Sequence, residues 1–158
     1  TYEQLPIGKS ERLVDGDDIT LIAIGYMVQP ALEAAQHIRD QYGVNVGVIN
    51  ARFVKPIDED MLIHVGRHAK LVVTLEDGTI KGGLGSEIAE YFADQHYHGF
   101  DMIRIGIPDE FIEQGSREIL YDDLGMTAPK IVDRIRQNEV FTTLANTVWQ
   151  ENLSQQTS

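Results

Sequence analysis

The chain has 158 residues, 42% of them hydrophobic and 24% charged, enough for one domain with a full core and too few for a second independent one. With 25 acids against 13 bases its net charge is −12, and the bases are dispersed, so nucleic acid and anionic membrane surfaces are poor partners. The lack of cysteine excludes disulfides, thiolate metal sites and thiol nucleophiles and suits a reducing, cytoplasmic compartment; no apolar stretch approaches the roughly 20 residues that span a bilayer.

The opening Thr1-Tyr2-Glu3-Gln4-Leu5-Pro6 has neither the basic region nor the apolar core of a signal peptide and reads as an internal cut in a longer protein. Residues 11–14 and 19–24 flank Asp15-Gly16-Asp17-Asp18, whose Asp-Gly pair predicts a tight turn and an antiparallel hairpin, with one edge strand running against the rest. Residues 30–39 read as an amphipathic helix, with Val28, Leu32, Ala35 and Ile38 on one stripe and Pro30 in its first turn. Val44, Val46, Val48 and Ile49 then form a short apolar run, the pattern of a buried parallel strand.

Asp58 is placed to cap the next helix, which runs through Met61, Leu62 and Val65. Residues 70–75 read as a third buried strand. A glycine-rich loop over 76–85 leads to a helix beginning at Ser86, residues 102–105 make the last strand, and helical patterns at 117–124 and 127–137 close the unit. Strand and helix patterns alternate, which predicts a three-layer α/β/α sandwich around a mostly parallel sheet, spanning residues 1–137. In the extension, residues 138–158, Phe141, Leu144, Val148 and Trp149 fall at helical spacing and predict a final helix with a frayed end over 154–158.

Ligands of open α/β sheets collect at the carboxyl ends of the strands, and the segment from Asn50 to Asp58 follows such an end. There Arg52 offers donors that match a phosphate or carboxylate in a bidentate way; the same donors could instead pair with an acid across a loop. Between a strand and a helix, Gly78-Thr79-Ile80-Lys81-Gly82-Gly83-Leu84-Gly85-Ser86 leaves backbone N–H groups free for an anion. It lacks both the third glycine of a dinucleotide fingerprint and the lysine of a phosphate loop, so a tight turn that lets the helix start close to the sheet or to another subunit explains it.

Glu76 and Asp77 end the third strand at the same edge as Arg52, where a carboxylate could orient a donor, pair with Arg52 or act as a base; pairing at a subunit or domain boundary is the preferred reading. His64 and His68 are one helical turn apart, yet no adjacent glutamate or third ligand completes a metal site, so solvated or capping roles are expected. His96 and His98 read as loop residues near a helix end, and His37 as the polar side of its helix. No serine sits in a nucleophile elbow with histidine and acid partners in order.

Four segments carry a family resemblance: Leu5-Pro6-Ile7-Gly8-Lys9, Asn50-Ala51-Arg52-Phe53-Val54-Lys55-Pro56-Ile57-Asp58, Gly82-Gly83-Leu84-Gly85-Ser86, and Gly106-Ile107-Pro108-Asp109-Glu110-Phe111-Ile112-Glu113-Gln114-Gly115-Ser116. Together, over residues 2–137, they resemble the C-terminal domain of the 1-deoxy-D-xylulose-5-phosphate synthases, thiamine-diphosphate enzymes of the transketolase superfamily. The glycine-rich element alone is shared with transketolases and pyruvate dehydrogenase β subunits; the other segments narrow the resemblance to the synthases.

That resemblance implies a five-stranded mixed sheet with one antiparallel edge strand. It implies an enzyme that joins pyruvate, with loss of carbon dioxide, to glyceraldehyde 3-phosphate, for isoprenoid, thiamine and pyridoxal synthesis. Arg52 falls on the family's acceptor-phosphate arginine; Lys55 is a second candidate, equally able to support Asp58 or a neighbouring chain. The full-length enzyme would use thiamine diphosphate and Mg2+ and act as a homodimer with its N-terminal domains. This stretch lacks the glycine-aspartate-glycine cofactor motif, its magnesium-binding asparagine and the glutamate that activates the thiamine ring. It would bind no cofactor or metal, carry no catalytic residue and be inactive alone. Glu76-Asp77 stands where the family has glutamate-asparagine, and Gln114 where it often has histidine. The alternatives are the C-terminal part of another transketolase-like or 2-oxoacid dehydrogenase subunit, or a non-catalytic assembly module.

Overall fold

A computed structural model describes residues 4–109 and 116–157. In chain order the elements are β1 (Glu11–Val14), β2 (Ile19–Ala23), a 3-10 turn (Gly25–Met27) that opens α1 (Val28–Tyr42), β3 (Val46–Asn50), α2 (Glu59–His68), β4 (Leu71–Thr79), α3 (Leu84–Asp94), β5 (Asp101–Ile107), α4 (Arg117–Asp123), α5 (Ala128–Arg136) and α6 (Glu139–Gln156). One sheet holds all five strands in the order β1-β3-β2-β4-β5, with β1 antiparallel to β3 and every other pairing parallel.

The strands alternate side chains between two apolar layers. Ile19, Leu21 and Ala23 of β2 and Leu71, Val73 and Leu75 of β4 face the layer built with α1, α5 and α6. Ile22 and Val72 face the layer built with α2 and α3. The chain therefore moves from β2 to β3 along one face of the sheet and from β3 to β4 and on to β5 along the other, so the loops leaving β2 and β4 diverge. The crevice between those two strand ends is the topological switch point, where doubly wound sheets place ligands.

Several sequence expectations shift. Residues 11–14 and 19–24 do form strands, and one does run antiparallel at the edge, yet they are not a hairpin because β3 lies between them. All five residues of β2 are buried, so it needs an apolar neighbour on each side, whereas β1 is buried at none of its positions and suits only an edge. The link from β1 to β2 crosses the start of β3 at Gly47, where a side chain would begin 2.0 Å from the carbonyl oxygen of Gly16. β4 runs on through Glu76 and Asp77 to Thr79 after an irregularity beyond Leu75. α3 begins at Leu84, ahead of Ser86.

The helix expected from Phe141 and Leu144 forms, both side chains are buried, and Phe141 meets Tyr42 of α1 edge to face with centroids 5.2 Å apart. Its last turns reach Gln156, through Ser154 where fraying was expected. Trp149 is 60% exposed despite its place in the apolar spacing.

Candidate functional site

Arg52 lies two residues beyond β3, at the carboxyl edge of the sheet. The turn that carries it is built locally: Asn50 Oδ1 accepts the N–H of Arg52 at 3.1 Å, the Asx turn that asparagine favours. Arg52 has φ of 60°, a left-handed conformation that costs a non-glycine residue roughly 1–2 kcal/mol. Such strain gathers at functional positions, where the surroundings enforce it. The guanidinium does pair with an acid: its Nη2 donates to Oε2 of Glu11, at the start of β1, at 2.6 Å. Glu76 and Asp77 are not its partners.

Lys55, the second candidate, is 75% exposed and lies 3.9 Å from Glu87 of α3. It does not support Asp58, because Lys9 occupies that place. Asp58 Oδ1 caps α2 by accepting the N–H of Met61 at 3.3 Å, and Oδ2 accepts both the N–H and the hydroxyl of Ser10 at 2.8 Å. Lys9 Nζ reaches Asp58 at 3.4 Å and Asp60 at 2.7 Å. Burial works against the charged carboxylate of Asp58, but the hydrogen bonds from Ser10 and Met61 and the nearby Lys9 outweigh it and hold its pKa below the ordinary value.

The glycine-rich turn receives a carboxyl group from the protein itself. Glu76 is 4% exposed, and its Oε2 accepts the N–H of Gly85 at 3.3 Å in the first turn of α3. A side chain on Gly83 would begin 2.5 Å from that oxygen, so glycine is what lets the helix start against the carboxylate. Burial pushes the pKa of Glu76 up and Asp77 adds to the rise; the N–H groups of Gly85 and Leu84 and the Arg104 charge oppose it. Arg104 of β5, absent from the sequence reading, donates through Nη2 to the carbonyl of Ile80 at 2.6 Å and to Ser86 Oγ at 2.9 Å. Glu76 Oε1 and Arg104 Nε are both buried without a hydrogen-bond partner.

Asp77 is half-buried at the switch point, its Oδ1 3.3 Å from where a side chain on Gly25 would begin. Beside it Tyr26 is 60% exposed on the loop leaving β2. Neither Tyr26 nor Glu11 is marked by a motif. The available signal for Tyr26 was an aromatic residue directly after the glycine that ends a fully apolar strand, and for Glu11 there was none, since its role depends on which strand β1 joins.

His64 Nε2 lies 2.9 Å from Asp17 and stacks on His68, whose Nδ1 meets the carbonyl of His64 at 2.8 Å. That accounts for both histidines by capping and pairing; among the described residues no three His, Cys, Asp or Glu side chains gather into a metal site. Gln114 lies outside the described residues. A groove of ≈ 670 Å³ opens at the amino ends of the strands beneath α6, away from Arg52. No described helix is long and apolar enough to cross a membrane.

Residues 8–131 match the family model described as the transketolase C-terminal domain. The chain is 44% identical over 128 residues to 1-deoxy-D-xylulose-5-phosphate synthase 1 of Geobacter sulfurreducens, covering 81% of this chain and 20% of that protein. It is 43% identical over 135 residues to the 1-deoxy-D-xylulose-5-phosphate synthase of Geobacillus thermodenitrificans, covering 85% and 21%. The chain therefore spans about one fifth of the length of the curated relatives it matches. Among solved structures it resembles a split-gene transketolase described as an inactive β4 tetramer, with a TM-score of 0.75 and 28% identity over 91% of this chain and 44% of that one. The transketolase of Leishmania mexicana shares the fold, with a TM-score of 0.58 and 17% identity over 87% of this chain and 18% of that one. With its sheet order, its edge strand and the greater part of its length accounted for in this way, the chain belongs to the transketolase C-terminal domain family.

Proposed function

We propose that this chain is the C-terminal domain of a 1-deoxy-D-xylulose-5-phosphate synthase, with residues 1–137 as the family unit and residues 138–158 as an appended helix. The observation that carries this reading is the 38–44% identity to proteins of that name over 81–87% of the chain. Arg52 is the acceptor-phosphate contact, with Lys55 beside it as a second cation. A guanidinium held at a strand end in a strained turn binds the phosphate of glyceraldehyde 3-phosphate away from the reacting carbon, and that remote binding orients the aldehyde. Asp77 and Tyr26 line the adjoining crevice and shape its wall.

The parent would work in the cytoplasm as a homodimer with thiamine diphosphate and Mg2+, the cofactor supplying the decarboxylation chemistry. The residues of this chain do not fit that group. The helix start best suited to a diphosphate already faces the Glu76 carboxylate, and the described residues gather no set of metal ligands. The cofactor is therefore assigned to the parent's other domains.

Steady-state kinetics of the parent test the reading. Arg52→Ala is expected to lower kcat/KM for glyceraldehyde 3-phosphate by an amount worth about 2–5 kcal/mol, with the pyruvate dependence little changed. Unaltered acceptor kinetics would reduce Arg52 to an ion-pair partner of Glu11. A second reading, the C-terminal part of a split transketolase, is favoured by the structural match of 0.75. Carbon dioxide release from pyruvate separates the two, since a transketolase takes its two-carbon unit from a ketose.

A further inference from the structure

The partner that Arg52 already has bears on what the site selects. Glu11 stands directly opposite Asn50 across the β1–β3 pairing, so the edge strand delivers a carboxylate to the strand end that carries the arginine. Their contact is a close one, 2.6 Å, and the acid is the more exposed of the two, at 45% against 20% for the Arg52 side chain. Glu11 is thus the more solvent-facing member of the pair, and it occupies a donor that an incoming anion would need. Its position is held independently of the pair, because the adjoining Ser10 is bound through its N–H and its hydroxyl to Asp58. The start of β1 is thus tied to the segment after β3 at Ser10 and Asp58 as well as at Arg52.

We propose that Glu11 is a built-in competitor for Arg52, which holds the guanidinium when the site is empty and yields it to a phosphate ester. This rests on the reading of Arg52 as the acceptor-phosphate contact. The strengths are matched to that exchange. An exposed ion pair shifts an equilibrium by no more than about fivefold, a barrier that a doubly charged, bidentate phosphate exceeds. A carboxylate ligand brings one charge and offers Arg52 no more than Glu11 already does. Glu11 therefore sets the threshold of the site: it weakens every anion at Arg52 by the same factor, so that a phosphate ester still binds while a 2-oxoacid, the weaker ligand, falls below useful affinity. During the exchange the tie at Ser10 and Asp58 keeps β1 in place, so the change is a side-chain swap and the sheet stays intact.

Titration of the 15N-labelled chain, following the Arg52 side-chain and backbone signals, tests this with inorganic phosphate and with acetate near pH 7.5. Glu11→Gln is expected to bind phosphate about fivefold more tightly than the wild type and to bind acetate more tightly by the same factor, so that both affinities rise while their ratio stays as it is. Glu151→Gln, the same charge change on α6 at the amino-terminal end of the sheet, controls for the overall charge and is expected to leave both affinities as they are. Equal phosphate affinity in wild type and Glu11→Gln, with binding lost in Arg52→Ala, would overturn the competitor role while keeping Arg52 as the site. Phosphate binding that survives Arg52→Ala, or is absent from both wild type and Glu11→Gln, would overturn the Arg52 reading and this proposal with it.

Discussion

Asp58 and Glu76 are both buried carboxylates near helix starts, and their surroundings push them in opposite directions. Asp58 accepts bonds from Ser10 and Met61 with Lys9 nearby, so its folded pKa lies below the ordinary 3.8 although burial alone would raise it. Its contribution to stability is present above pH 3.8 and lost as the pH falls through the folded value. Burial dominates at Glu76, whose folded pKa lies above the ordinary 4.5. Folding there favours the protonated form, so that contribution is present below pH 4.5 and fades as the pH rises through the raised value. Urea unfolding from pH 3 to 8 should then separate two variants. Asp58→Asn is expected to lose most stability at neutral pH and to approach the wild type in acid. Glu76→Gln should gain on the wild type as the pH rises above 4.5. A wild-type to Glu76→Gln difference that stays flat with pH would contradict a raised pKa. The Asp58 cap was legible from its place before Met61 and Leu62; the burial of Glu76 was not, because only the packing of α3 on β4 removes it from water.

At the scale of elements, α3 is positioned by a close approach between its start and β4. Gly83→Ala would put a methyl group 2.5 Å from Glu76 Oε2 and 2.7 Å from Oε1, which forces either the buried Glu76 carboxyl group or the helix start to shift. Such overpacking costs about 1–3 kcal/mol. The cause can be isolated, since Gly83→Ala made in a Glu76→Ala background should cost clearly less than in the wild type, a coupling measured by a double-mutant cycle in chemical denaturation. Purely additive losses would place the clash elsewhere. The sequence did read this turn as one that brings the helix close to the sheet, from its glycines and the absence of a nucleotide signature. It could not name the carboxylate that fills the helix start, because Glu76 lies several residues away in sequence and reaches the turn only through the strand-helix return.

For the whole molecule, the two apolar layers are unequal. One is closed by α2 and α3, while the other takes α1, α5 and then α6, whose anchors Phe141 and Leu144 join the core. Phe141→Ala is expected to destabilise the chain by about 3 kcal/mol or more, read as a fall in thermal midpoint; a negligible change would mean that α6 rests on the domain without supporting it. Helix periods, the Asp58 cap, the apolar strands and the position of Arg52 just beyond β3 were determined by the sequence alone, because each depends on contacts within a few residues or on a repeat along one element. The partner of β1, the pairing of Arg52 with Glu11 and the filling of the α3 start by Glu76 were decided only by tertiary structure. Each joins residues distant in the chain, and a local pattern records that a strand or a charge exists without recording which neighbour satisfies it.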